Sequence, residues 1–404
     1  MAVRMFDTQP DLNSREADVI VIGGGLHGMS SAFHLARRGK RVIVLEADYC
    51  GRHASGVNAG GVRTLGRDLA EIPLSLASRD IWHELGELLG DNAEFTPSGQ
   101  LLVAENEKDI VTINKRVALL ESHGFTHEKI IDGKTARELV PTISPHVCGG
   151  IWVKDDGHAL PYRAVTAFRL AAQRMGVAVH ETTPAQRLDW RDGRWHVTTP
   201  RGTFSAEHVV NNAGAWAAEF AAQVGDPVPL EIGGLMLMIT YRLPPFVKPV
   251  LGTAGRPLSF KQFANGTVLI GGGLRCPVDV IGRHGEVDFI RLASSAQTVT
   301  DLFPHLRELP VNRAWAGVEA FMPDNIPVIG PSMKSPNIVH AFGFSAHGFE
   351  LGPIVGRIVS ELVCDGSTAH PIAPFSAGRF RPAPAAGVEF DMPVPFSIPT
   401  GVLR

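Results

Sequence analysis

Apolar residues run almost unbroken from Ala17 to Ile22 and stop at three glycines (ADVIVIGGG), the pattern of a short strand buried on both faces of a parallel sheet. From Leu26 to Arg38 the apolar positions recur at helical spacing, and after Gly39 the run RVIVLE repeats the buried-strand pattern. Asp18 to Glu46 therefore predicts one βαβ unit of about 30 residues, the length that a parallel crossover needs. A helix is expected over 70–89. The run from Phe95 to Val103 and the amphipathic stretch Asp109 to His123 then lead into a proline-containing turn at 141–145, a departure from simple βα alternation. A second α/β signature follows: a helix from Arg163 to Met175, a strand from Val177 to Glu181, the hairpin-like LDWRDGRWHVTTPRGTFSA, and a strand at HVVNNAG that returns the chain to the first sheet. Strands and loops dominate from Pro227 to Val318, with VLIGGG at 268–273 and a helix over Glu286 to Phe303. Ile338 to Leu362 reads as strand, Gly-rich turn and helix, and from Pro371 onward the chain is a proline-rich tail.

At 404 residues the chain is too long for one small core and fits two interlocked domains of α/β type. Its 44% hydrophobic and 20% charged content, with 43 glycines and 29 prolines, describes a packed body with many tight turns. A formal charge of -3 leaves no basic excess to neutralise phosphates, so nucleic acid is not an expected partner, and membrane binding or insertion gains no support. Cys50, Cys148, Cys276 and Cys364 lie far apart with no C-x-x-C spacing, which gives no metal site and makes buried free thiols in a reducing compartment the plain expectation. The polar start has no signal-peptide core, and no later stretch is long and apolar enough to span a bilayer, so a cytoplasmic protein with a loose lead over 1–16 is expected.

Gly23, Gly25 and Gly28 form G-x-G-x-x-G between the first strand and its helix. Gly23 would allow the tight turn, Gly25 the approach of a pyrophosphate to the backbone beside Leu26 and His27, and Gly28 the close packing of helix on strand. The helix N-terminus would supply the anion-binding field. Glu46, followed by Ala47, ends the second strand near the offset at which a carboxylate can take hydrogen bonds from ribose hydroxyls, and an acid there disfavours a 2′-phosphate. The alternative is a structural glycine turn without a ligand.

The continuation separates one dinucleotide from another. The segment Arg52, His53, Ala54, Ser55, Gly56, Val57, Asn58, Ala59, Gly60, Gly61, Val62, Arg63 resembles the D-amino-acid-oxidase-like FAD oxidoreductases, as do VVNNAGAWA at 209–217, WAGVEAFMPDNIPVIGP at 315–331 and AFGFSAHGFELGPIVGRIVSEL at 341–362. Sarcosine oxidase, glycine oxidase, D-amino-acid dehydrogenase and opine oxidase are members of that family. The resemblance implies a Rossmann-like FAD-binding domain with a discontinuous chain path (17–89, 146–218 and 316–370) and a mixed-sheet α+β substrate domain (90–145 and 219–315). It further implies that 52–63 wraps the pyrophosphate and lines the flavin, that Ala185 contacts adenine through its backbone, and that Ala213, Gly214, Trp216 and Gly317 border the cofactor. Gly343, Phe344, Ser345, Ala346, His347 and Gly348 would present backbone N–H groups to the reduced ring, although an ordinary strand-to-helix turn has the same pattern. The implied chemistry is hydride transfer from the carbon bearing nitrogen to flavin N5, giving an imine that water hydrolyses.

Such a reaction needs positioning more than an acid or base, and none of the 16 histidines has metal-like spacing. His53 and His347 lie within the cofactor motifs; His53 reads as a polar pocket residue in preference to a covalent attachment point, so FAD is expected to be non-covalent. Gly317 stands where relatives with a cysteinyl flavin carry Cys. Where glycine-oxidase-like relatives place a carboxylate-binding arginine the chain has Glu319, and where sarcosine-oxidase-like relatives place a lysine it has Glu350. Either glutamate could face a cationic group of the substrate, or pair with Arg63, Arg313 or Lys261. Arg63 is the candidate to hold a substrate carboxylate or face the flavin, with a phosphate or loop contact as its alternative. Phe260, Phe263, Met236, Met238 and Trp315 could wall the pocket or serve as ordinary core. The form of 315–331 is similar to the opine-oxidase and sarcosine-oxidase β-subunit branch, so a homo- or hetero-oligomer is possible, with the tail from Pro371 as a docking segment. Two rival functions remain: a 2-hydroxy-acid oxidoreductase using a histidine base, and a flavoprotein subunit with little activity alone.

Overall fold

The computed structural model describes residues 10–380. Its centre is a parallel sheet in which strand Glu16–Ile22 lies between Val42–Leu45 and Gly202–Asn211, with Val21 opposite both Val44 and Val210. Ala178–His180 extends it on one side, and Ile338–Phe342 with the antiparallel edge Val328–Pro331 on the other. The unbroken apolar runs are explained by helices on the sheet: Leu26–Arg37, Pro161–Arg174 and Gly348–Asp365 cover one face and join the core through Leu26, Met29, Phe168, Ile354 and Ile358, each essentially buried. The hairpin Arg187–Arg191/Arg194–Thr199 and the parallel strand after it are one continuous ladder, because Gly202–Asn211 pairs with the hairpin at one end and with Glu16–Ile22 along its length.

The second sheet is mixed and nine-stranded, and its long strands Glu231–Thr240 and Val311–Phe321 pair antiparallel with Gly233 opposite Glu319. Two expected boundaries move. Strand Gly149–Val153, placed by sequence in the first domain, pairs with Gln100–Ala104 and Lys129–Asp132 in the second sheet, and Val311–Phe321 runs unbroken through 316. The chain therefore changes sheets after residue 153 and after residue 321, where the backbone ladders end.

Helix 70–89 is divided at Glu84 into Ile72–His83 and Leu85–Leu89, with Gly86, a weak helix former, at the break. The later helix starts at Phe289 rather than Glu286, because the Asp288 side chain accepts from the Arg291 N–H at 3.0 Å and caps it. Glu16 belongs to the sheet rather than to a lead, and the Arg15 carbonyl just before the strand accepts from the Ser205 N–H. The start of the tail is packed on its own chain, with Phe375 fully buried and Arg379 bonded to Asp324 at 2.8 Å, which weakens a docking role for 371–380; residues 381–404 lie outside the described ones. The cysteines are unpaired, with Cys50 and Cys276 buried but Cys148 exposed on the turn before strand Gly149–Val153. Among the described residues no helix is long and apolar enough to cross a membrane.

Helices Leu26–Arg37 and Gly348–Asp365 touch through glycine. A Cβ on Gly352 would lie 2.5 Å from Leu26 Cδ2, and one on Gly356 2.5 Å from the Ser30 carbonyl carbon. Backbone cannot yield as a flexible side chain can, so Gly356→Val is expected to lower stability by about 1–3 kcal/mol, read as a lower denaturant midpoint at unchanged m-value.

Candidate active site

The parallel strands end at a crevice, where ligands of such sheets bind. Gly23 has φ +104, and a side chain on it would strike the Asn212 carbonyl; one on Gly28 would strike the Gly23 carbonyl oxygen, so the turn closes only with glycine at both positions. Gly28 thus acts in packing and does not line the cleft. Ser55 Oγ accepts from the Leu26 N–H at 2.9 Å, which fixes the 54–57 turn against the helix N-terminus. Glu46 is held by the N–H groups of Gly24 (2.6 Å) and Asp48 (2.7 Å), while burial pushes its carboxyl up.

From Glu46 a single cavity of about 1560 Å³ runs past Gly25, His27 and Gly60 to Glu319 and His347. This exceeds the ~300–1,000 Å³ of an ordinary small-molecule pocket and accommodates an extended dinucleotide with a second molecule beside it. Ala47, Arg52, Ala54, Asn58, Gly61 and Ala185 line it as well, as do Ala213, Gly214, Trp216 and Gly317. Val62 does not: it is fully buried in the main core, because the short ribbon Gly61–Val62/Gly157–His158 turns alternate side chains to opposite faces. His27 Nε2, Asn212 Oδ1 and His347 Nδ1 are buried polar atoms without a hydrogen-bond partner in the protein, as expected of a wall built to meet a polar ligand.

The far end is shaped by the turn between strand Ile338–Phe342 and helix Gly348–Asp365. Ser345 (φ 48) and Ala346 (φ 69) are consecutive non-glycine residues in the left-handed region, a conformation that surrounding bonds must enforce. Ser345 N–H donates to Ala320 O at 2.9 Å, Met322 N–H donates to Ser345 Oγ at 3.0 Å, and His347 N–H donates to Phe344 O at 2.8 Å. The Phe344 ring stacks on His27 at 3.7 Å, and burial lowers His27 to about 3, so it stays neutral. With Gly343 and Gly348, these residues put a helix N-terminus at the cleft.

Behind this turn lies a residue that the sequence did not single out. Arg67 donates from Nε to Arg63 O (3.1 Å), from Nη1 to His347 O (2.9 Å) and from Nη2 to Glu350 Oε2 (3.0 Å), and its side chain is 1% exposed. Glu350 also accepts from Ser75 Oγ at 3.0 Å, and its backbone carbonyl accepts from Ser78 Oγ and Trp82 Nε1. Glu350 is thereby removed from the cavity: its partner is a protein cation, and not one of those expected. Burial raises its carboxyl against the opposing pull of Arg67.

The remaining candidates separate. His53 Nε2 lies 3.0 Å from Asp48 Oδ2 and its ring 4.7 Å from that of Trp216, at the Glu46 end of the cavity. Arg283, on the separate two-stranded hairpin Val278–Asp279/His284–Gly285, reaches the same Asp48 at 3.1 Å. His347 and Arg63 stand together at the other end; burial and the charges of Arg63 and Arg67 hold His347 well below 6.5, and burial lowers Arg63 to about 10. Arg63 Nη1 donates to Leu65 O at 2.6 Å. Glu319 has one hydrogen bond, from the Ala320 N–H at 2.9 Å, no ion pair among the described residues, and a carboxyl raised by burial to about 7. Lys261 is 2% exposed and unbonded, lowered by burial to about 7, with Nζ 3.1 Å from where a Gly60 Cβ would lie. Of the proposed wall residues Met236 lines the cavity, Phe260 and Met238 belong to the second core, Phe263 packs on His158, and Trp315 Nε1 bonds Val57 O at 2.8 Å.

A glycine-closed βαβ crevice, an acid at the second strand and a cavity continuing under a second mixed sheet define a dinucleotide-dependent oxidoreductase. The chain belongs to the family described as FAD dependent oxidoreductase, whose model matches residues 18–362, and FAD is therefore its cofactor. Monomeric sarcosine oxidase from Streptomyces avermitilis is 30% identical over 392 residues, covering 91% of this chain and 99% of that protein. Hydrogen cyanide synthase subunit HcnC from Pseudomonas aeruginosa is 26% identical over 418 residues, covering 92% and 98%. The crystal structure of L-proline dehydrogenase from P. horikoshii matches with a TM-score of 0.84 at 27% identity, covering 91% of this chain and 98% of that one.

Two outcomes are expected. Arg67→Met leaves the Glu350 charge buried without its partner and should cost about 3–5 kcal/mol of stability, with Arg67→Met/Glu350→Leu recovering a large part of it in urea titrations. Glu319, raised to about 7 from 4.5, binds its proton more tightly when folded, so its contribution to stability is complete below pH 4.5 and is lost as pH rises through 7. Thermal melts from pH 5 to 8 should fall more steeply for the parent protein than for Glu319→Gln.

Proposed function

We propose that the protein oxidises a C–N bond of an amine or amino acid, with Arg63 holding a substrate carboxylate and the turn at 343–348 facing the flavin. Bound FAD would supply the two-electron acceptor for the hydride leaving the carbon. The nitrogen lone pair forms the C=N bond as the hydride leaves, and water then cleaves the imine to an oxo product and an amine. The chain's own work is positioning: the 52–61 segment and the Glu46 carboxylate orient the cofactor, and the second sheet covers the reacting region and keeps water out.

The observation that carries this reading is the placement of the histidines. Oxidation of a 2-hydroxy acid needs a base for the hydroxyl proton. His53 is engaged with Asp48 at the nucleotide end, and His347 is held well below its ordinary basicity beside two arginines. An amine supplies its own lone pair and needs neither. The names of the relatives, a sarcosine oxidase, a proline dehydrogenase and a subunit of a synthase, support an amine or amino acid as substrate and leave a partner subunit as a second reading. Non-covalent FAD and a cytoplasmic setting complete the proposal.

The test is an absorbance spectrum followed by anaerobic addition of secondary amines, D- and L-amino acids, opines and 2-hydroxy acids. Flavin bands near about 370 and 450 nm should bleach with a member of the amine series. Bleaching by 2-hydroxy acids alone would overturn the reading, and bleaching only after a co-purifying protein is added would favour the subunit. Arg63→Met should slow bleaching by an amino acid at sub-saturating concentration about tenfold or more, the loss of one charge-assisted contact worth roughly 1.5–3 kcal/mol.

A further inference from the structure

The arginines around the cavity are almost all committed. Arg283 is paired with Asp48, Arg256 with Glu105 and Asp301, Arg116 with Glu128, and Arg67 with Glu350. Arg275 is held by Glu231 at 2.8 Å and lies 3.7 Å over the Phe321 ring. At the 343–348 end two charges of opposite sign have no ionic partner among the described residues: Arg63, whose hydrogen bond goes to a carbonyl, and Glu319.

Glu319 reaches the cavity through strand geometry. Residues 317–321 of Val311–Phe321 all border the cavity, but the Val318 and Ala320 side chains pack in a small core, and strand alternation sets Glu319 on the other face from them. A Cβ at Gly317 would lie 2.5 Å from Val57 Cγ2, so this strand presses on the 54–57 turn two residues before Glu319. One step after it, the Ala320 carbonyl accepts from Ser345 N–H. Glu319 is therefore fixed between the two segments that border the flavin end. Glu319 is half-buried and borders the cavity; once a ligand displaces the water there, a carboxylate left without a cation is costly, and a ligand cation is the partner this wall can receive.

We propose that Glu319 selects a substrate bearing a second, non-reacting cationic group, an ammonium or guanidinium, so that the substrate is an amino acid or N-substituted amino acid with a basic side chain. This rests on the amine-oxidising reading above. The reacting nitrogen must enter as the free amine, because its lone pair forms the new C=N bond. A carboxylate paired with that nitrogen would hold it as ammonium and oppose the reaction. The cation at Glu319 is thus a different nitrogen, and the substrate spans the cavity from a carboxylate at Arg63 to a cation at Glu319.

The experiment uses the FAD-loaded protein and anaerobic flavin bleaching with two amino acids of equal chain length, lysine and norleucine, in both enantiomers, and with their N-carboxyethyl derivatives. Lysine-type compounds should bleach at concentrations at least tenfold lower than their norleucine counterparts. Glu319→Gln should collapse that ratio through the half-saturating concentration with a smaller change in the limiting rate, and Glu319→Arg should invert the preference toward glutamate-type compounds. As a binding readout without turnover, butylguanidinium should perturb the flavin spectrum of the parent protein at least tenfold more tightly than that of Glu319→Gln. Equal bleaching by the lysine and norleucine series, or a preference that survives Glu319→Gln, would overturn this inference while leaving amine oxidation intact. Bleaching by 2-hydroxy acids and by no amine would overturn both.

Discussion

The buried pair between Arg67 and Glu350 is the constraint on which the 343–348 end of the cavity depends. One guanidinium holds the loop after Arg63, the carbonyl at the start of the last long helix and a carboxylate one turn inside it, all away from water. Trp82 and Ser78 meet the same helix at the Glu350 carbonyl, so helix Ile72–His83 is tied to it as well. A pair of this kind is a poor source of net stability, because desolvation offsets most of the attraction. What it provides is position: with one cation satisfying three separate segments, those segments have a single mutual arrangement.

That arrangement permits the irregular backbone beside it. Ser345 and Ala346 adopt consecutive left-handed conformations and stay there because Ala320 and Met322 bond the turn from outside and Ser345 Oγ donates to Gly343 O within it. At the nucleotide end the means is the reverse, absence of side chains: Gly23 and Gly28 let backbone meet backbone. The cleft is thus closed at one end by removing atoms and at the other by strain that neighbouring bonds hold in place.

Much of this was legible in the sequence, and the parts that were not share a cause. Local signals survive folding: the glycine spacing at 23–28, the acid at 46 and the turn at 343–348 lie where short-range pattern places them. Partnership between distant residues leaves no local mark. Arg67 and Glu350 are 283 positions apart, and nothing in GGVRTLGRDLA distinguishes the arginine that is buried from the one that faces the cavity. Lys261 was named only as a possible partner for a glutamate; its burial without one follows from strand Ser259–Gln262 turning it toward Gly60. Sheet membership failed for the same reason: GGIWV is an apolar run that suits either sheet, and only its pairing with 100–104 and 129–132 assigns it.

Strand Val311–Phe321 has a consequence for how such a molecule can change over time. The Gly23–Gly28 turn belongs to the first sheet, whereas Glu319, one of two charges at the 343–348 end without an ionic partner among the described residues, projects from a long strand of the second, backed by its ladder with Glu231–Thr240. A replacement at 319 alters one side chain on a scaffold whose backbone bonds are already complete, and it breaks no ion pair among the described residues. Were Glu319 to select the substrate as proposed, selectivity could drift across descendants of this chain by single codon changes without disturbing the glycine turns of the first sheet.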